Sequence, residues 1–316
     1  MHLNWPEHRV LVTGGAGFLG RQVCRELLAC GVQIGNLLVP RRRQYDLVRQ
    51  DATARLFRDA RPSVVLHLAA QVGGIGANQQ QPGRYFYSNM LMGCNVIEQA
   101  RLSGVVRFLH VASVCSYPGD TPVPFREQDL WQGYPETTNA PYGVAKKSLC
   151  VMLDAYKRQY GMDSAVVVPV NLYGPGDNFD LHSSHVVPAL IRRCLEARWQ
   201  NHNTITLWGS GDASRELLYV QDAAKGIVRA AQRIVTPDPI NLGTGHEIRI
   251  RDLAVLIARL SGYQGRFHWD VSRPDGQLRR CLDVSRAHDL LDWRATTLLS
   301  DGLARTINWY AASQNA

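Results

Sequence analysis

Near its start the chain reads Arg9-Val10-Leu11-Val12-Thr13-Gly14-Gly15-Ala16-Gly17-Phe18-Leu19-Gly20. The apolar run before the glycines predicts a buried β-strand, and the apolar spacing from Arg21 to Cys30 predicts a helix after them. Gly14, Gly17 and Gly20 would let the backbone approach a pyrophosphate and let the helix pack close to the strand. The helix start also offers N–H groups and a positive dipole end. The stretch therefore predicts a dinucleotide site, although a tight turn without a ligand gives the same local pattern.

Strand-type and helical runs alternate through the next part of the chain. The strands are predicted over residues 34–39, 63–68, 106–112 and 164–168, and the longest helices over residues 84–103 and 142–160. Such alternation predicts a parallel sheet covered by helices on both faces. We expect an α/β protein with a Rossmann-type doubly wound parallel sheet and a smaller C-terminal α/β substrate domain. The expected nucleotide domain comprises residues 1–170 and 217–245, and the substrate domain comprises residues 171–216 and 246–316.

Composition limits the functional classes that the chain can belong to. Its 316 residues, 45% hydrophobic and 20% charged, suit an ordinary globular protein with a full apolar core. It holds no apolar run of about 18 residues, and Met1 to His8 lacks the layout of a signal peptide. We therefore expect a cytoplasmic protein without a membrane partner. The seven scattered cysteines include no CxxC pair, so neither a metal site nor a redox dithiol is predicted.

The net charge of +8 has two interpretations. One is nucleic-acid binding, and the other is a surface excess of basic residues with anion sites for phosphorylated ligands. The basic residues are spread along the chain, and the dense run Arg41-Arg42-Arg43 has no basic–aromatic motif beside it. We therefore expect no nucleic-acid partner.

That basic run bears on the choice of cofactor. An acidic residue usually ends the second strand of an NAD site, where it binds the ribose 2′-hydroxyl. Here Val39 and Pro40 are followed by arginines, and the first carboxylate is Asp46. Because a guanidinium suits a 2′-phosphate, Arg41 predicts a preference for NADPH. A solvated basic loop is the alternative.

A tyrosine and a lysine stand one helical turn apart at Tyr142 and Lys146. A nearby ammonium favours the phenolate, so Lys146 is expected to lower the pKa of Tyr142 for proton transfer to a carbonyl. Ser113, after the strand that ends near Ala112, is placed to hold the same carbonyl oxygen. This order of motifs predicts a nicotinamide-dependent carbonyl reductase.

Longer strings make a family resemblance plain. The chain resembles the GDP-L-fucose synthase family of extended short-chain dehydrogenase/reductases nearly end to end. The strings that carry the resemblance are Val72–Asn78, Ser113–Pro118, Pro141–Lys146, Asn171–Phe179, Ser184–Leu190, Trp208–Gly211, Arg215-Glu216 and Arg273–Gly276. The chain departs from the family pattern at Val114, where a second serine is common, and at Gln221, where an acid is expected. Neither position touches the named catalytic groups, but both leave room for a related sugar nucleotide.

The resemblance implies a reaction and a set of site residues. The reaction is NADPH-dependent 3,5-epimerisation and 4-keto reduction of GDP-4-keto-6-deoxy-D-mannose to GDP-L-fucose by a homodimer. The implied catalytic residues are Ser113, Cys115 as base, Tyr142, Lys146 and His185 as acid. The implied cofactor residues are Gly14, Gly17, Phe18, Leu19, Gly20, Arg41, Lys146, Pro169, Asn171, Leu172 and His185. The implied substrate residues are Arg193, Trp208, Arg215 and Asp275.

Some of these residues have plainer interpretations when the resemblance is set aside. Cys115 alone suggests a buried core thiol, His185 a loop histidine, and Arg193 an exposed helix arginine. Two other functions also stay open. One is a 4-ketoreductase, or an epimerase/reductase acting on a related nucleotide-linked keto-deoxy or heptose sugar. The other is a non-catalytic dinucleotide-binding sensor, against which the retained Tyr142–Lys146 pair argues.

Overall fold

A computed structural model describes residues 2–73, 75–181, 183–273 and 277–314. The strands, in chain order, are β1 (Val10–Thr13), β2 (Leu37–Leu38), β3 (Val64–His67), β4 (Arg107–Val111), β5 (Ser164–Pro169), β6 (Asn171–Tyr173), β7 (Thr204–Trp208), β8 (Ser214–Tyr219), β9 (Pro239–Leu242), β10 (Glu247–Arg249) and β11 (Arg266–Asp270). The helices are α1 (Phe18–Ala29), α2 (Gln50–Ala60), α3 (Ile75–Gln80), α4 (Pro82–Leu102), α5 (Ala140–Tyr160), α6 (Val186–Trp199), α7 (Val220–Arg233), α8 (Ile250–Ser261), α9 (Ser285–Leu291) and α10 (Leu299–Gln314).

The main sheet has six parallel strands in the order β2-β1-β3-β4-β5-β9. Helix α1 packs with α7, and α4 packs with α2 and α5. Every residue of β1, β3, β4, β5 and β9 is buried, as expected for strands covered on both faces. The chain changes its winding direction between β1 and β3, and open α/β sheets bind ligands at such a point. The predicted Rossmann-type α/β sheet is confirmed.

The second predicted strand is shorter than residues 34–39. Ile34–Asn36 forms a 3-10 turn, and only Leu37 and Leu38 pair with β1. Both strand residues are half-buried, and Ile34 is exposed. The apolar residues of this segment therefore overestimated the edge strand, because Ile34 is exposed and its turn pairs with no strand.

Two smaller sheets accompany the main one. Strand β8 pairs antiparallel with β10 and parallel with β6, and β7 pairs parallel with β11. Their apolar residues join those of α6, α8 and α10 in a second buried core, which includes Tyr173, Leu190, Ile191, Leu207, Ile257 and Leu303. This substrate-side core is separate from the sheet core, which lies around the six parallel strands.

The C-terminal part of the chain contributes to both cores. Leu282, Ala287, Leu291 and Trp293 join the sheet core. The backbone N–H of Phe125 donates to Cys281 O over 2.8 Å, and Asp283 N donates to Phe125 O over 2.9 Å. These bonds hold the segment against the nucleotide side. The domain boundaries at residues 170, 216 and 245 stay a prediction. The contacts above show in addition that residues 281–293, expected in the substrate domain, pack against the sheet core.

Candidate active site

One crevice of about 1660 Å³ runs past the glycine turn, the end of β4, the start of α5 and the substrate-side core. It is lined by the predicted residues Gly14, Gly17, Phe18, Leu19, Gly20, Arg41, Ser113, Cys115, Tyr142, Lys146, Pro169, Asn171, Leu172, His185, Arg193, Trp208 and Arg215. The remaining predicted residue, Asp275, lies outside the described residues. The fold therefore brings residues from distant parts of the sequence to a single cavity.

The glycine turn is shaped by close backbone contacts. Gly14 has a φ of +72°, and a Cβ there would lie 2.8 Å from Ala69 N. A Cβ on Gly20 would collide with the carbonyl oxygen of Gly14. Helix α1 starts at Phe18, and no side chain in the described part of the protein caps it. Its first N–H groups are therefore available, and the cradle fits the pyrophosphate of a dinucleotide.

Arg41 and Arg42 line the crevice beyond the second strand. The carbonyl of Arg41 accepts the N–H groups of Gln44 and Tyr45 over 2.9 and 3.0 Å, which makes the turn compact. Arg42 Nε lies 3.8 Å from an Asp46 carboxylate oxygen, whereas the exposed Arg41 forms no ion pair with the described residues. The arrangement suits a ribose 2′-phosphate better than a 2′-hydroxyl, because Arg41 offers a guanidinium and the Asp46 carboxylate is already paired with Arg42.

The serine and tyrosine meet at the end of β4. The Ser113 hydroxyl accepts the N–H of Cys115 over 3.2 Å, which caps the short turn Val114–Ser116. The Ser113 side chain also acts on the Tyr142 phenol, whose pKa it works to lower. Lys146 follows one turn later on α5, and only 2% of it is exposed. Two hydroxyls thus converge on one point in the crevice, where they can bind a carbonyl oxygen.

The expected lowering of the Tyr142 pKa is wrong for this structure. Burial, followed by negative charge on the nearby Cys115, raises the pKa of Tyr142, and the Ser113 hydrogen bond only partly opposes them. Burial also lowers the pKa of Lys146 to about 8. Spacing along the helix predicted that the two residues are neighbours, but their surroundings decide the balance of charge. These surroundings favour the neutral phenol, which can donate a hydrogen bond.

Cys115 and His185 line the same crevice as that phenol. Cys115 is half-buried in the turn after Ser113. His185 immediately precedes α6 and is exposed to the crevice. The surrounding protein, and secondly the Arg280 guanidinium, hold the pKa of His185 below its usual value. A thiol and an imidazole therefore accompany the two hydroxyls, so the cavity holds more than carbonyl reduction requires.

The predicted substrate residues lie at the other end of the crevice. Arg193 on α6 donates to Thr206 O over 2.8 Å, and Arg215 on β8 donates to Gln277 O over 2.7 Å. Trp208 ends β7 with 61% of its surface exposed, and the Arg273 guanidinium carbon is 5.1 Å from its ring centroid. Anchored guanidiniums and an open aromatic face suit a diphosphate and a base.

Sequence reasoning did not single out several other residues of the crevice. These are Glu136, Asn139, Asp177, Gln277 and Arg280. Asp177 Oδ2 is buried without a hydrogen-bond partner among the described residues, and burial raises the pKa of Asp177 to about 7. Asp177 lies within Asn171–Phe179, one of the strings that carry the family resemblance. Arg280 carried no local signal, because its position depends on the returning C-terminal segment.

The described residues contain no group of three or more His, Cys, Asp or Glu side chains that could hold a metal ion. Within the same residues, no helix is long and apolar enough to cross a membrane.

Comparison with known proteins agrees with this geometry. A model of the NAD dependent epimerase/dehydratase family matches residues 10–243. The GDP-L-fucose synthase of Escherichia coli strain K12 is 38% identical over 318 residues, which cover 98% of each chain. The solved GDP-L-fucose synthetase of Naegleria fowleri bound to NADP superposes with a TM-score of 0.88 at 26% identity, covering 97% of this chain and 95% of that one.

A GDP-6-OMe-4-keto-L-xylo-heptose reductase from C. jejuni is also similar, with a TM-score of 0.89 at 28% identity over 96% of this chain and 97% of that one. The family match spans the main sheet and its crevice, and the fucose synthase match extends to nearly the whole chain. The chain therefore belongs to the NAD dependent epimerase/dehydratase family, among the GDP-L-fucose synthases and their relatives.

Proposed function

We propose that the protein converts GDP-4-keto-6-deoxy-D-mannose to GDP-L-fucose by 3,5-epimerisation and NADPH-dependent 4-keto reduction. The observation that carries this proposal is that the thiol of Cys115 lines one crevice with the hydroxyls of Ser113 and Tyr142 and the imidazole of His185, while Ser113 accepts the N–H of Cys115. A plain ketoreductase needs only the two hydroxyls and the lysine. The names of the GDP-L-fucose synthase relatives indicate the product, GDP-L-fucose.

The epimerisation uses an acid–base pair at each carbon next to the ketone. Cys115, as the thiolate, removes a proton from C3, and the bonding pair moves to form an enolate at the C4 oxygen. Tyr142 and Ser113 donate hydrogen bonds to that oxygen, which stabilises its charge. His185 returns a proton on the opposite face. Cys115 then releases its proton to solvent and His185 takes one up, so that the same steps can invert C5.

The reduction uses the same oxygen site. Bound NADPH supplies the hydride that C4 receives. Tyr142 donates its phenolic proton to the C4 oxygen, and the Lys146 ammonium stabilises the phenolate that results. The glycine turn, Arg41, Pro169, Asn171 and Leu172 would hold the dinucleotide against this point, with Lys146 reaching its ribose.

The substrate nucleotide is assigned to the far end of the crevice. Arg193 and Arg215 would bind the diphosphate, Trp208 would stack on the base or sugar, and Asp275 would add a polar contact. We also propose a cytoplasmic homodimer, formed through two helices of the nucleotide domain, as the family resemblance implies. Sedimentation of the purified protein would test the dimer, and fractionation of cells would test the location.

The central experiment follows deuterium and cofactor together. The protein is incubated in D₂O with GDP-4-keto-6-deoxymannose, with and without NADPH. We expect deuterium at C3 and C5 in both samples and NADPH oxidation in the second. Oxidation without deuterium would instead indicate a ketoreductase such as the similar heptose enzyme.

Two cysteine variants test whether the Cys115 thiol is the base of the epimerisation. Cys115→Ser should cut deuterium incorporation at least about 100-fold while NADPH still binds. Cys30→Ser, at an exposed cysteine away from the crevice, is the matched control and should leave both unchanged. Equal losses of exchange and cofactor binding in Cys115→Ser would make the thiol structural.

A further inference from the structure

Arg280 is a buried cation in the crevice, with 7% of its surface exposed. Its Nε donates to Gln277 Oε1 over 2.9 Å, and Gln277 Nε2 donates to Gly119 O over 3.0 Å. Its carbonyl oxygen accepts the N–H of Glu216 over 3.1 Å. The guanidinium is therefore fixed by the side chain and by the backbone.

The free end of this guanidinium points at the thiol. Arg280 Nη1 lies 3.7 Å from Cys115 Sγ, within hydrogen-bonding distance for sulfur. A hydrogen bond from a cation to an ionised acceptor is about twice as strong as a neutral one. The contact therefore favours a negative sulfur over a neutral thiol.

Three other ionisable groups lie near Arg280 or near the sulfur that it contacts. Desolvation by the protein packed around its ring, and secondly Arg280, lower the pKa of His185. Burial alone would raise the pKa of Glu136, but hydrogen bonds from Thr138 and Asn139, together with Arg280, lower it. Negative charge on Cys115 helps to raise the pKa of Tyr142. One cation therefore lies among a thiol, a carboxylate and an imidazole.

We propose that Arg280 is a positioning residue that donates to Cys115 Sγ, holds the sulfur aimed into the crevice and stabilises the negative charge that the sulfur carries when it acts as a base. This role deepens the proposed epimerisation and rests on it. It gives Cys115 and Tyr142 different tasks at the ketone. A charged sulfur can take a proton from carbon at once, while Tyr142 keeps its proton for the C4 oxygen.

The test measures the reactivity of the sulfur, which needs no sugar substrate. Because the thiolate is the form that iodoacetamide alkylates, the NADP-saturated protein is treated at pH 7.5 and modification of the Cys115 peptide is followed by mass spectrometry. Arg280→Met should slow alkylation about tenfold. Arg280→Lys should restore much of the rate because it returns a cation. Arg279→Met, at the exposed neighbour that pairs with Glu247, is the matched control and should not change the rate.

A second variant guards against misfolding. Gln277→Met removes the hydrogen bond to Nε but keeps the arginine, and it should slow alkylation less than Arg280→Met. Alkylation at the wild-type rate in Arg280→Met, with NADPH affinity intact, would overturn the proposal. So would a higher KM for the GDP-sugar without any change in alkylation, since Arg280 would then be a diphosphate anchor. If the sugar is not turned over while alkylation still depends on Arg280, the proposed substrate is wrong and the thiolate contact stands.

Discussion

Gly143 and Cys115 touch so closely that a Cβ on the glycine would occupy the place of the Cys115 carbonyl oxygen. The Ser116 hydroxyl fixes the approach by donating to Gly143 O over 3.1 Å. Helix α5 thus meets the turn that carries the thiol directly beside Tyr142. The distance between phenol and sulfur is set by the absence of a side chain at position 143.

Gly143→Ala should therefore separate the turn from the helix. Since a displacement of about 1 Å can cost about 100-fold in rate, we expect deuterium exchange and ketone reduction to fall by about that factor. NADPH affinity, measured by fluorescence titration, should change little. Gly83→Ala, in a helix where no atom lies within 4 Å of the added Cβ, is the control. Full activity in Gly143→Ala would show that the turn can move without consequence.

The basic turn should set the cofactor preference. Arg41→Ala should weaken NADPH binding about 10- to 100-fold, because a charged hydrogen bond contributes about 1.5–3 kcal/mol. NADH binding should hardly change, since it lacks the 2′-phosphate. Arg43→Ala, which removes the same charge outside the crevice lining, separates a specific contact from general electrostatics. Equal effects of the two variants on NADPH would favour the solvated basic loop.

Two buried histidines should make the fold sensitive to acid. His67 and His110 stack with ring centroids 5.9 Å apart, and Thr13 Oγ1 lies 2.8 Å from His67 Nδ1. Burial, and secondly Lys146, lower the pKa of His67 to about 3 and that of His110 well below its usual value. Both folded-state values are depressed, so their contribution is fully present above about pH 6.5 and is lost as the pH falls below it.

Each histidine should then cost up to about 1.4 kcal/mol per pH unit in the free energy of unfolding between pH 6.5 and the folded value. His110→Phe should roughly halve this dependence, measured by urea unfolding at pH 7.5 and pH 5. The exposed His202→Asn should leave it unchanged. An unaltered slope in His110→Phe would mean that other groups govern the acid sensitivity.

A buried carboxylate should hold the substrate side of the crevice together. Glu216 is fully buried and accepts the N–H groups of Thr244, Gly245 and Leu282. Glu216→Ala would leave these donors without their acceptor and should lower the free energy of unfolding by about 3 kcal/mol or more. The control Asp252→Ala removes an exposed carboxylate from the first turn of α8 and should cost less than about 1 kcal/mol. Similar losses for both, measured by urea unfolding, would contradict the structural role of Glu216.

The sequence predicted the sheet well where a segment is buried on both faces. Strands β1, β3, β4 and β5 lie within a residue or two of their predicted bounds, because short continuous apolar runs between turn signals fit strands that are buried on both faces. The length of β2 was overestimated, since apolar residues at a half-buried sheet edge do not all pair with the neighbouring strand. The predicted site residues share one crevice, but their roles stay predictions for the experiments above to test.

The amino-acid sequence by itself determined the glycine turn, the Tyr142–Lys146 spacing and the family, because each depends on residue types at short separations. Only the tertiary structure decided that Arg280, which is 165 residues from Cys115 along the chain, donates to its sulfur. Likewise, burial and not helical spacing raises the pKa of Tyr142. Local pattern fixes which groups a segment carries. The free energy of a charge depends on every group packed around it, and that packing exists only after distant segments have met.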